Sequence, residues 1–83
     1  MSKLSDMPNI GKVLSEQLTA VGLDSPEKLL AAGSREAFTR IRMIDPSACI
    51  SRLYALEGAV RGVRWHNLPQ GVKDSLKEFL ASL

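Results

Sequence analysis

Eighty-three residues are enough for one domain, spanning 1–83, and too few for a second core, which excludes the two-domain architectures common among enzymes. With 45% hydrophobic and 24% charged residues the chain has the balance of a folded module, not that of a disordered chain or a membrane protein. A formal net charge of +2 is too small to name a partner, so its distribution carries more: residues 1–34 hold three lysines and four acids, 35–64 hold six arginines and three acids, and 65–83 balance at two and two.

A chain this short buries only about 60 to 65% of its unfolded surface, and nothing here staples it. Cys49 is the one cysteine and cannot close an internal disulfide; with the single histidine, His66, it cannot furnish a four-ligand zinc site. The longest run without a charged side chain, Trp65 to Val72, falls far short of the roughly 18 apolar residues of a membrane span. Met1 to Asp6 has no apolar core of secretory length, and a lone thiol suits a reducing compartment. The expectation is a cytoplasmic protein held by packing alone, with no membrane contact and no cofactor.

Twelve leucines and eight alanines outweigh five valines and four isoleucines, and no segment alternates apolar and polar residues for the length of a strand. The chain reads as all-α, a compact bundle of five helices. The first starts near Asn9, carries Ile10, Val13, Leu14, Leu18 and Val21, and stops at Gly22. The second takes Ser25 as N-cap and Pro26 as its first residue, with Glu27 at the positive end of the dipole, and ends at Gly33. A third runs from Ser34 through Ala37, Phe38 and Ile41 to Ile44. Asp45 and Pro46 restart the chain as cap and first turn of a fourth, central helix, whose stripe Cys49, Leu53, Leu56, Val60 leads to Gly62. Asn67 caps the fifth, with Gln70 at the capping-box position and Val72, Leu76, Phe79, Leu80 and Leu83 inward. The buried set expected from these faces is Leu14, Leu18, Leu29, Phe38, Ile41, Leu53, Leu56, Val60, Trp65, Leu76 and Phe79. Gly58, inside the fourth helix, costs about 1 kcal/mol relative to alanine, which points to a close neighbour there.

The segment Met7 Pro8 Asn9 Ile10 Gly11 Lys12, followed by an amphipathic helix and Val21 to Glu27, resembles a helix-hairpin-helix element. Such a turn presents backbone amides at a helix N-terminus, where they cradle a nucleic-acid phosphate without reading sequence. On that resemblance Gly11 permits close approach, Ile10 anchors the turn in the core and Lys12 adds a charge beside the phosphate. Asn9 stands where the usual first glycine does; it tolerates positive φ but places a side chain at the turn. These four residues are the candidate nucleic-acid site. The alternative is that the turn only starts the fold, in a first third whose net charge is negative.

Over nearly its whole length the chain is similar to the C-terminal domain of the TfoX/Sxy family of bacterial competence regulators. The turn Asn9 to Gly11, the Leu14/Leu18 helix, the stretch from Val21 to Leu29, the Gly33 break, the segment Leu53 to Gly62, and Trp65 with Leu68 and Pro69 carry the likeness; Leu23 replaces the commoner isoleucine. The resemblance implies a SAM-like, helix-hairpin-helix-related helical domain with a regulatory role. Full-length members carry a further N-terminal domain, so their transcriptional co-activation does not transfer intact.

The remaining features each admit a structural reading. The arginines fit solvated helix faces paired with Glu36, Asp45 and Glu57. Cys49 sits on the Leu53/Leu56 stripe and is expected to be buried, although a helix N-terminus lowers a thiol pKa. Trp65 is expected to plug the core, or else to form a stacking surface with His66. No nucleophile with a base, carboxylate pair or metal set stands at catalytic spacing. The expected function is a non-enzymatic regulatory module whose partner is either nucleic-acid backbone, through Asn9, Ile10, Gly11 and Lys12, or a regulatory protein, with no small-molecule substrate.

Overall fold

The computed structural model describes residues 3–83. A 3-10 turn over Leu4–Asp6 tucks Leu4 into the core, and Asp6 accepts a hydrogen bond from the Lys3 amide (3.1 Å). Helix α1 is Lys12–Ala20. It starts three residues later than expected because Asn9 has φ 70°, which no α-helical residue adopts, and Gly11 is extended. Val13, expected inward, faces outward, 62% exposed, about a quarter-turn round the helix from Leu14, while Leu14 and Leu18 remain inside. At the far end Gly22 (φ 87°) lets the Leu23 amide reach back to Leu18 O at 2.8 Å, and both leucine side chains are buried together.

Helix α2 is Pro26–Ile44, with the Ser25 hydroxyl accepting from the Lys28 amide (3.2 Å). The expected second and third helices are one element here, so the described residues form four α-helices and not five. The break at Gly33 survives as a kink, with φ 84° and ψ 167° inside α2. The kink aims Leu29 from one half and Ala37, Phe38 and Ile41 from the other at the same core.

Asp45 does not cap the next helix, and Pro46 does not open it. The Asp45 carboxylate accepts from the Ser47 amide (3.1 Å), from Arg52 (2.7 Å) and from Gln17 (2.9 Å). With both oxygens taken, residues 45–48 form a turn, and α3 begins only at Ile50, with Cys49 as its N-cap. Helix α3, Ile50–Arg61, is central as expected and packs against α2, α4 and the turn that follows it. Leu53 and Leu56 are fully buried, and Gly62 (φ 75°) stops the helix. Cys49 lies at the rim, exposed, which corrects its expected burial. Its place outside the helix removes it from the buried stripe.

A second 3-10 turn, Trp65–Asn67, leads into α4, Gln70–Ala81. Asn67 lies within that turn and is not the cap; Pro69 holds the N-cap position, and Gln70 donates to Asp74 (2.9 Å) instead of closing a capping box. Leu76 is buried, and Leu83, expected inward, is exposed past the helix end. Of the expected core, Val60, Trp65 and Phe79 are only half-buried and the other eight residues are buried. Among the described residues no helix is long and apolar enough to cross a membrane.

Candidate functional site

The four residues of the candidate site divide between support and exposure. Asn9, held at positive φ, folds its side chain away from the turn and back onto α3. Its Nδ2 donates to Val63 O (2.9 Å) and Ala55 O (3.4 Å), and its Oδ1 accepts from the Trp65 amide (3.1 Å). The side chain expected to stand in the way at the turn is thus consumed by the fold. Gly58 explains why this is feasible: a Cβ there would come 2.4 Å from Asn9 Nδ2 and 2.7 Å from Val63 O. Ile10 is buried beneath, as an anchor must be.

Gly11 and Lys12 face outward. No side chain caps the first turn of α1, so its leading amides keep the partial positive charge of a helix N-terminus. An added Cβ at Gly11 meets nothing within 4 Å, so the approach to these amides is open. Gly11, Lys12, Val13 and Leu14 line one wall of an open groove of about 410 Å³ whose other wall is Ser51, Arg52 and Ala55 of α3. The start of α3 also lacks a side-chain cap. Two helix N-termini and two cations therefore border one groove.

One of those cations is partly neutralised. Hydrogen bonds from Ser47, then from Arg52 and Gln17, hold the Asp45 carboxyl far below the usual carboxylate range, so Asp45 stays charged beside Arg52. At the same rim the Cys49 thiol lies 3.2 Å from Ser51 Oγ. Hydrogen bonding to Ser51 draws its pKa below the ordinary thiol value, and Arg52 adds to the shift.

The arginines pair as their spacing suggested: Arg40 with Glu36 (2.7 Å), Arg52 with Asp45 (2.7 Å) and Arg61 with Glu57 (2.5 Å). Glu57 is only 9% exposed and also accepts from the buried Ser34 hydroxyl. Burial pushes its pKa up, but the Arg61 and Ser34 hydrogen bonds outweigh that and the net shift is downward. Arg35 donates to Ser75 (2.9 Å) and lies over the Phe79 ring. The arginines thus serve separate local contacts and form no single stripe.

Trp65 does not plug the core. Half-buried, it stacks on Tyr54 with ring centroids 5.9 Å apart, and His66 stacks on it at 4.0 Å. Lys73 Nζ stands 5.6 Å from the Trp65 ring and 6.0 Å from that of Tyr54. Of this cluster, sequence reasoning named only Trp65 and His66; Tyr54 and Lys73 join through the crossing of α3 and α4, which no local spacing signals.

Residues 1–80 match the family model of the TfoX C-terminal domain. The chain belongs to this family. The TfoX C-terminal domain here is also similar to two crystal structures from Listeria monocytogenes, both 52% identical to it over 94% of its length. One is an uncharacterized protein in a triclinic form, with a TM-score of 0.93 and 89% of that chain covered. The other is a protein of unknown function in a tetragonal form, with a TM-score of 0.92 and 96% covered. No curated protein matches. Membership of the TfoX C-terminal domain family points to a competence-related regulatory module.

Proposed function

We propose that residues 1–83 act as one non-enzymatic, SAM-like and helix-hairpin-helix-related regulatory domain of the cytoplasm, which holds nucleic-acid backbone weakly through the Asn9–Lys12 turn. The observation that carries this reading is the inward fold of the Asn9 side chain onto α3, which leaves the uncapped first turn of α1 open beside Lys12. Backbone amides at a helix N-terminus favour an anion by geometry and by dipole, and a phosphate held so is bound without regard to base sequence. A contact of this kind needs no cofactor and does no chemistry on its ligand.

Titration of labelled duplex DNA at about 50 and about 200 mM salt tests it. With roughly two phosphates neutralised, the affinity falls about ten-fold across that interval as counterions compete. Absence of binding at either salt, to duplex and to single-stranded DNA alike, transfers the case to a second reading, a protein-binding adaptor. That reading has its own support: at the end of α2, Met43 is 81% exposed, and with Thr39, Arg42 and Leu83 it lines an open apolar groove of about 200 Å³.

A further inference from the structure

The loop beyond α3 carries a cationic and aromatic patch that the phosphate contact does not use. Between Gly58 and Lys73 the sequence contains no acidic residue, yet it holds Arg61, Arg64, His66 and Lys73. Arg61 is engaged by Glu57, whereas among the described residues Arg64 and Lys73 form no salt bridge. The aromatic rings here are graded in exposure: Tyr54 is buried, Trp65 half-buried and His66 exposed, with each stacked on the next. The Asn9 bond to the Trp65 amide sets this stack directly beside the candidate phosphate turn.

We infer that the outer end of this stack, His66 with the accessible part of Trp65, is the docking place for an unpaired base of a single-stranded nucleic acid. The inference rests on the nucleic-acid reading above and narrows it to the single-stranded class. A duplex keeps its base faces stacked inside, so it can use the turn but not the rings. A single strand offers both its phosphates and its π-faces, and aromatic rings beside unpaired cations are what such strands bind without sequence preference. A protein partner is the less favoured occupant on one ground: Trp, Tyr and Arg suit either partner, but Lys73 over the rings is a residue type depleted at protein interfaces and is matched by a phosphate.

Trp65 is the only tryptophan, so its emission reports on this place alone. The probes are an oligothymidylate of about twelve nucleotides, within the range of strand lengths that single modules cover, and a duplex of the same length. The oligothymidylate is expected to quench Trp65 fluorescence and to bind more tightly than the duplex. His66→Ala, at an exposed position, is expected to weaken oligothymidylate binding about five-fold or more, as loss of one base stack does, and to leave duplex binding unchanged. Equal binding of the two probes, with steady Trp65 emission and no effect of His66→Ala, overturns the inference and leaves the backbone reading intact. Quenching and the His66→Ala effect persisting in a Lys12→Glu background would uphold the stack and remove the turn. Binding of neither probe at low salt overturns both and leaves the adaptor reading.

Discussion

Asn9 and Gly58, far apart in the chain, are in direct contact: the Asn9 amide nitrogen occupies the space where any side chain at 58 would begin. That contact joins the start of the fold to the end of α3, and through the Trp65 amide to the loop beyond it. Gly58→Ala is expected to destabilise the domain by about 1 to 3 kcal/mol, since the overpacking against the Val63 carbonyl exceeds the gain in helix propensity. Chemical denaturation measures it. Asn9→Gly keeps the positive φ and loses the side-chain hydrogen bonds, costing about 1 to 3 kcal/mol, and the double variant should be less destabilised than the sum because one clash has gone.

Leu56 is fully buried on the central helix. Leu56→Ala should cost about 2 to 5 kcal/mol through cavity formation, a large part of the stability of a small domain. A thermal melt resolves this, because about 1 kcal/mol moves the midpoint by about 4 to 8 °C in a domain of this size.

Lys12 opens α1 and is exposed. Lys12→Glu places an acid at the positive end of the helix dipole, worth about 0.3 to 1 kcal/mol in favour of the fold. Its melting temperature should therefore hold or rise slightly while duplex binding, read by fluorescence anisotropy, is lost. Retained binding would exclude the turn as the phosphate contact.

Asp45 titrates lower in the folded protein than in the unfolded chain, chiefly through Ser47 and then Arg52 and Gln17. A depressed folded pKa contributes stability that is present above the unfolded value of about 3.9 and is lost as pH falls toward the folded one. The Glu57 shift has the same sign. The melting temperature should thus decline below about pH 4, and Asp45→Asn should flatten that decline. Equal slopes in the two proteins would show that Asp45 does not govern it.

Cys49 is exposed with a thiol drawn below its ordinary pKa. Iodoacetamide should modify it in the native protein without denaturant, as mass spectrometry will show, because the thiolate is the reacting species. Cys49→Ser should abolish that modification and hold stability or raise it by up to about 1 kcal/mol, because serine is a preferred residue at the N-cap of α3 that Cys49 occupies.

The stops and starts that depend on one residue's own backbone were legible in the sequence. Gly22, Gly33 and Gly62 all take positive φ, and Ser25 with Pro26 opens α2 as their chemistry demands. The apolar spacing of Leu14 with Leu18, of Phe38 with Ile41 and of Leu53 with Leu56 likewise identified most of the core, because helical periodicity alone puts those pairs on one face.

What the tertiary structure decided was the partner of each polar side chain, and with it the form of the candidate site. Asp45 is a plausible cap by its type, but Gln17 and Arg52 bind it and move the start of α3 to Ile50, leaving Cys49 in solvent. Asn9 bonds to Ala55, Val63 and Trp65, 46 to 56 positions away. Trp65 meets Tyr54 and Lys73 only where α3 and α4 cross. A short polar side chain can satisfy itself equally well with a local amide or a distant carbonyl. Local sequence determines that it seeks a partner, and only the packing of the helices determines which one it finds.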